Sequence, residues 1–183
     1  MKNRFKNRLF LSIIFLAFIL IGSSKADYPN TSIGVIDLNY ILSESNAAKD
    51  AAKKIEEIAL KIEEEIQKSD QDLVNEQNEL IESQQIMAPA AFDEKRKDYE
   101  KKVQNYNVER QEKLVSIDLL VSESRNKVLN ALKPILETIS NDKGITVLLE
   151  KNSVLLNADN MDITDEALKS LNKELPSIEV KLD

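Results

Sequence analysis

The sequence contains no cysteine, no histidine and no tryptophan, and only three of its 183 residues are glycine. Without cysteine the chain can form no disulfide bond, thiolate metal site or lipid-modified cysteine anchor. Without histidine it lacks the most common general base and transition-metal ligand. Only Gly34 and Gly144 lie beyond residue 26, and they are too few and too far apart for a glycine-rich phosphate loop. These absences predict a protein that is not an enzyme and has no metal site and no cofactor.

The first 26 residues have the three parts of a secretory signal peptide. Basic residues open the segment, an apolar run covers residues 9–21, and small residues lead to Ala26. The run is shorter than the roughly 20 apolar residues that a membrane-spanning helix needs. We therefore expect cleavage near Ala26 and export to the periplasm; the alternative is an N-terminal membrane anchor that is retained.

Loss of this segment makes an acidic chain more acidic. The whole chain has 25 basic and 32 acidic residues and a net charge of −7. The first 26 residues hold five of the basic residues and none of the acidic ones, which leaves a net charge of −12 on the remainder. Because Lys and Arg contacts to phosphate drive nucleic-acid binding, we expect no nucleic-acid partner.

Residues 46–87 and 92–141 predict a long antiparallel helical hairpin. Both segments are rich in strong helix formers, and each has apolar residues at helical spacing. The first stripe is Ala59, Ile62, Ile66, Leu73, Leu80 and Met87. The second is Leu114, Ile117, Val121, Val128, Leu132, Ile135 and Ile139. Pro89 fits the start of a second helix, although one long kinked helix is the alternative. Because the stripes are sparse near Pro89, we expect a loosely packed tip.

Three short apolar runs outside the hairpin predict β-strands. Residues 33–38 form the first, and residues 145–149 and 154–156 read as a β-hairpin with a four-residue turn. Thr164 is the predicted N-cap of a last helix that ends before Pro176. This core is too small to be stable alone, so we expect self-association. The predicted fold class is α+β, predominantly helical, with a discontinuous β-rich body (27–45 and 142–183) and a helical arm (46–141).

Two sets of side chains near the predicted tip are candidate binding residues. The apolar and aromatic set suits adaptable contacts with apolar ligands, and it comprises Ile86, Met87, Phe92, Tyr99 and Tyr106. The basic set could contact anionic lipid, and it comprises Lys95, Arg96, Lys97, Lys101 and Lys102. The alternative for the first set is packing between the two helices. The alternative for the second is a solvated helix face, because acidic residues alternate with the basic ones.

The order of these motifs resembles the Skp/OmpH family of periplasmic chaperones. The resemblance rests on IGVIDL at residues 33–38 followed by LSES at 42–45, on LKP at 132–134, on KGITVLL at 143–149 and on DIT at 162–164. A helical hairpin of some 95 residues separates the first two motifs from the others. No single motif is distinctive, but their order and spacing cover the whole chain that follows the signal segment.

The resemblance implies a homotrimer whose strands build a small β-barrel, from which three helical arms enclose a cavity. Members of the family hold unfolded outer-membrane proteins in that cavity without ATP. Further partners implied in this way are the outer-membrane assembly machinery and lipopolysaccharide. The family's arms are strongly basic whereas this chain is acidic, so capture of clients by charge is not implied here.

Two other classes of function remain open on the sequence. A structural or adaptor coiled-coil protein of the cell envelope would have one defined partner and no effect on client aggregation. A carboxylate-dependent hydrolase would need acidic side chains that converge in a pocket, whereas the acids here lie on predicted helix faces.

Overall fold

A computed structural model describes residues 31–182, so the predicted signal peptide lies outside the described residues. The elements in chain order are β1 (Ile33–Ile36), α1 (Leu38–Glu44), α2 (Asn46–Ser83), α3 (Pro89–Lys143), β2 (Val147–Glu150) and α4 (Thr164–Glu174). Two single 3-10 turns, Lys151–Ser153 and Asp159–Met161, lie between β2 and α4. The described chain is mostly helical, as predicted. None of its helices is long and apolar enough to cross a membrane.

The helices α2 and α3 lie side by side and run in opposite directions. Lys113 of α3 donates a hydrogen bond to Glu65 of α2, and Lys102 pairs with Glu76. Later residues of α3 therefore lie opposite earlier residues of α2, as in an antiparallel pair. We call α2, the turn at residues 84–88 and α3 the arm. At 1.5 Å per residue, its 38- and 55-residue helices are roughly 55 and 80 Å long.

Local signals fix the ends of the arm helices. The Ser45 hydroxyl accepts a hydrogen bond from the Ala48 N–H and caps the start of α2. Pro89 opens α3, where its missing N–H has no partner to lose. Gly144 ends α3 with a left-handed backbone, φ 64°, which a residue without a Cβ adopts at little cost. The predicted helix start at Pro89 is confirmed, and Ser45 and Gly144 are residue types that favour a cap at these positions.

The predicted β-hairpin is wrong. β2 pairs in parallel with β1, with Ile33 opposite Val147 and Ile36 opposite Glu150. After β2 the chain enters a 3-10 turn and leaves the sheet, so residues 154–156 form no strand. The described sheet thus has two strands rather than three. The helices α1, α2 and α3 form the long crossover that a parallel pair requires.

Beyond β1 the chain turns into a helix that the sequence reading did not include. The strand ends at Ile36, and the Asp37 carboxylate accepts a hydrogen bond from the Tyr40 N–H to cap α1. Ile41 of this short helix is completely buried. The cap at Asp37 therefore ends the strand two residues earlier than predicted and places Leu38 in a helix.

Thr164 does not cap its own helix, contrary to the prediction. Its hydroxyl oxygen accepts a hydrogen bond from the Asp37 N–H at 2.9 Å and so joins the start of α4 to the start of α1. The Asp162 carboxylate takes over the local role and accepts a hydrogen bond from the Thr164 N–H at 2.9 Å. The Lys151 ammonium is 2.8 Å from the same carboxylate. A non-local bond thus competes successfully for the threonine hydroxyl.

Acid should weaken the fold through Asp162. Burial alone would raise the pKa of its carboxyl, but hydrogen bonds from Lys151 and Thr164 hold the pKa below its usual value. A lowered carboxyl pKa adds stability above the unfolded pKa of about 4, and this is lost as the pH falls through the folded pKa. For Asp162→Asn we expect a loss of about 1 kcal/mol in the free energy of unfolding at neutral pH.

Urea unfolding followed by circular dichroism at several pH values measures this effect. Below about pH 4 the difference between Asp162→Asn and the unmodified chain should shrink. The exposed Asp159→Asn is the matched control, because the described residues show no hydrogen bond or ion pair of its carboxylate. A difference for Asp162→Asn that stays constant from pH 7 to pH 2 would contradict the assignment.

The hydrophobic core joins every element of the described chain except β2. Its fully buried members are Ile36, Ile41, Ala47, Ala51, Val128, Leu132, Ile135, Ile139, Ile163, Ala167, Leu171 and Ile178. β2 adds the partly buried Leu148. Both ends of the arm contribute, α2 through its first turns and α3 through its last four. The base of the arm is thereby fixed in the core, while the rest of the arm extends beyond it.

Candidate functional site

The arm is packed least well along its middle. In α2 no residue between Ile62 and Leu80 is buried, and in α3 none is buried before Leu120. Closer to the turn, Leu80 and Ser83 are again buried. The sparse packing expected at the tip therefore extends through the middle of the arm, and near the turn only α2 has buried residues. We call residues 63–79 of α2 and 98–116 of α3 the mid-arm.

Polar contacts connect the helices where apolar contacts are sparse. The Tyr106 hydroxyl donates to the Asp70 carboxylate and lies 3.3 Å from the Ile66 carbonyl. Lys113 contacts Glu65 of α2 at 2.9 Å and also Glu109 of its own helix at 3.0 Å. These hydrogen bonds raise the pKa of the Lys113 ammonium. Exposed pairs of this kind contribute at most about 1 kcal/mol each, so the mid-arm is easily deformed.

The apolar candidates from the sequence divide into two places. Ile86 lies in the turn with 85% of its surface exposed, and Met87 and Phe92 beside it are half-buried. Tyr106 faces α2, and Tyr99, seven residues earlier, lies on the same face of α3 and is also half-buried. The geometry thus favours helix packing for the two tyrosines and leaves Ile86 the most accessible of the five.

Two of the five basic candidates are neutralised by neighbours. Arg96 pairs with Glu100 at 2.6 Å and with Asp93 at 3.6 Å, and Lys102 pairs with Glu76. Lys97 and Lys101 are exposed and Lys95 is half-buried, and the described residues show no ion pair for these three. The excess of positive charge near the tip is therefore small.

The apolar seam of α3 differs from the predicted stripe. Leu114 and Val121 were predicted to lie in the seam, but 43% and 52% of their surfaces are exposed. Leu120 and Ser124 are buried in their place. Because serine is polar, a prediction based on the spacing of apolar residues misses its place on the contact face.

The arm exposes apolar side chains that the sequence reading did not select. On α3, Val108, Val115 and Leu119 line one shallow groove on a face away from the seam. On α2, Leu60, Val74 and Ile81 are exposed at multiples of seven residues and therefore share a face. The seven-residue spacing of these α2 residues could have been noticed in the sequence. It shows that they share a face, but only the structure shows that this face is not the one that packs against α3. We call Val108, Val115 and Leu119 the outer stripe.

Comparisons with known proteins agree with this architecture. The family model described as outer membrane protein (OmpH-like) matches residues 32–171, more than half of the chain. The chain belongs to the OmpH-like family. Its fold is similar to that of an OmpH-like protein from Caulobacter crescentus CB15, described as a candidate outer membrane chaperone, with a TM-score of 0.76 and 17% identity. That likeness, over 90% of this chain and 99% of the other, concerns the fold. No curated protein matches the sequence.

The OmpH-like match begins at Ser32, immediately before β1, and ends at Leu171 inside α4. It includes the whole arm and both strands. The resemblance inferred from the sequence motifs is therefore confirmed. Residues 172–182, which follow the matched OmpH-like span, are described by the structure and make their own contacts with the arm.

Proposed function

We propose that the protein is an ATP-independent periplasmic holdase chaperone that keeps unfolded outer-membrane proteins from aggregating. The observation that carries the proposal is an arm with exposed apolar side chains and little buried contact along its middle. Such a surface can adapt to many apolar sequences, because few internal contacts are lost when it deforms. The OmpH-like family and the description of the Caulobacter protein as a candidate outer membrane chaperone support the same role.

Self-association completes the proposed chaperone. A two-stranded sheet is marginal by itself, and β2 offers a free edge with Val147 and Leu149 40% and 38% exposed. Leu155 and Leu156 follow it and are almost wholly exposed, at 106% and 90%. We propose that three copies associate as a homotrimer in which each copy buries these surfaces against its neighbours. Their strands form a β-barrel body, and residues 46–141 of each copy form the arms around a shared cavity.

The rest of the proposal concerns place and partners. Residues 1–26 act as the signal peptide and direct the chain to the periplasm. Clients contact the outer stripe, Ile86 and Met87 of the turn, and Phe92 in the first turn of α3. Lys97 and Lys101 offer the weak charge contact to lipopolysaccharide or another anionic surface. A structural or adaptor protein of the envelope, the alternative, would benefit from a rigid spacer. The sparsely packed mid-arm does not favour it.

Light scattering of a denatured outer-membrane β-barrel protein, diluted with and without residues 27–183, tests the proposal. Scattering should be suppressed near one trimer per client, without nucleotide. The triple variant Val108→Ser, Val115→Ser, Leu119→Ser should weaken client binding about 10- to 100-fold, since each exposed apolar side chain contributes about 0.5–1 kcal/mol when partly covered.

The matched control replaces exposed polar residues of the same helix by serine, at Gln104, Asn126 and Asn130. This control should hold the client as well as the unmodified chain does. Unchanged aggregation with a folded, trimeric protein would overturn the holdase proposal and favour a search for one envelope partner.

A further inference from the structure

After α4 the chain returns to the base of the arm. Residues 176–182, which we call the tail, follow α4 and form neither helix nor strand. Ile178 is only 6% exposed and belongs to the same buried cluster as Ala47 and Ala51 of α2. Val180 packs against that cluster, while Glu179 between them is exposed. The tail is thus an extended segment with apolar side chains turned inwards at alternate positions.

Each arm helix holds one carbonyl group of the tail. Lys54 of α2 donates a hydrogen bond to the Ile178 carbonyl at 3.0 Å, and Lys127 of α3 donates one to the Glu179 carbonyl at 2.9 Å. These bonds involve only backbone atoms of the tail, so they do not depend on its sequence. Charged donors make stronger hydrogen bonds than neutral ones, which suits them to hold a segment that has no strand partner.

This arrangement suits an extended peptide in general. Alternating apolar side chains enter a cluster with small alanines, and two ammonium groups bind successive backbone carbonyls. Any extended segment with apolar residues at positions i and i+2 offers the same features, and a transmembrane β-strand alternates in this way along its whole length. The tail lies beyond the span that the OmpH-like family model matches, which ends at Leu171.

We propose that the base of the arm is a peptide-binding site, occupied by the chain's own tail until an extended, alternately apolar segment displaces it. We call it the tail site; its residues are Ala47, Ala51 and Lys54 of α2 and Lys127 of α3. The displacing segment would come from an unfolded outer-membrane protein, and only this identification rests on the holdase function proposed above. The site itself would exist whatever the arm does with clients.

Peptide binding to a variant with a released tail tests the site. The full chain with Ile178→Ser and Val180→Ser should fold, by circular dichroism, and leave the site free. A fluorescein-labelled peptide with the tail sequence PSIEVKLD should bind this variant at least about tenfold more tightly than the unmodified chain, because a bound tail lowers the apparent affinity by the fraction of open sites. The same peptide with serine in place of isoleucine and valine should not bind.

Lysine variants separate the backbone contacts from general charge. In the released-tail background, Lys54→Met with Lys127→Met should weaken peptide binding severalfold or more. Lys53→Met is the matched control, because Lys53 is exposed and the described residues show no hydrogen bond or ion pair for it. Equal affinity of the released-tail variant and the unmodified chain, or no binding to either, would overturn the proposal.

A second measurement applies even if the released-tail variant does not fold. The sequence has no cysteine, so Leu182→Cys in the otherwise unmodified chain accepts a single spin label at a half-exposed position. An excess of an alternating valine–threonine peptide should increase the mobility of the label, and a peptide with the same composition in blocks should not. Unchanged mobility would overturn displacement. If the protein prevents client aggregation but the peptide does not displace the tail, the holdase function is retained and only the tail site is rejected.

Discussion

The double variant Leu155→Asp, Leu156→Asp is expected to abolish self-association while each chain remains folded. Neither leucine contributes to the core of the single chain, since both side chains are almost fully exposed. Burial of a leucine in a partner contributes about 1.5–3 kcal/mol, so two of them contribute about 3–6 kcal/mol for each contact between chains. Their loss should raise the dissociation constant by a factor of about 10² to 10⁴, before any cost of burying the new carboxylates is added.

Sedimentation velocity at a fixed micromolar concentration measures this effect. The unmodified chain should sediment as a trimer and the variant as a monomer with the same helix content. Leu60→Asp is the matched control, because Leu60 is 54% exposed but lies on the arm. An unchanged trimer of the double variant would mean that the chains associate through another surface, and the proposed β-barrel body would have to be abandoned.

The largest loss of stability is expected for Leu132→Ala. Leu132 is 1% exposed and lies in the core where the base of α3 meets α1, α2 and α4. Removing a fully buried leucine side chain costs about 2–5 kcal/mol, since it loses transfer free energy and leaves a cavity. For a domain of this size that is a large part of the total free energy of unfolding.

Urea unfolding at constant protein concentration checks this expectation, because association adds to the apparent stability. Leu119→Ala serves as the comparison: Leu119 lies on the same helix but is 55% exposed, so the loss should be within about 0.5 kcal/mol. Similar losses for the two variants would show that Leu132 is not at the centre of the core in solution.

Features with local causes could be predicted from the sequence. The helix start at Pro89, the cap at Ser45 and the end at Gly144 depend on one residue and its immediate neighbours. The helical hairpin followed from long breaker-free segments with apolar stripes, and the lower half of the α3 stripe, from Val128 to Ile139, is buried as expected. The family followed from the order of short motifs.

Features with non-local causes could not be predicted from the sequence. Thr164 has the right residue type and position for a cap, but the backbone N–H of Asp37, 127 residues away, takes its hydroxyl. Residues 145–149 and 154–156 look like the two strands of a hairpin, yet β1 provides a better partner for the first. In α3, the choice between Val121 and Ser124 for the seam depends on where α2 lies, not on hydrophobicity.

The sequence by itself determined that the chain carries a long helical hairpin with its second helix starting near Pro89, that it is acidic and has no cysteine or histidine, and which family it belongs to. Each of these depends on residue type or on short-range spacing. Only the tertiary structure decided which apolar side chains stay exposed on the arm, and that the tail is held by Lys54 and Lys127. Exposure and pairing depend on which faces meet, and that is a property of the packed chain rather than of any one segment.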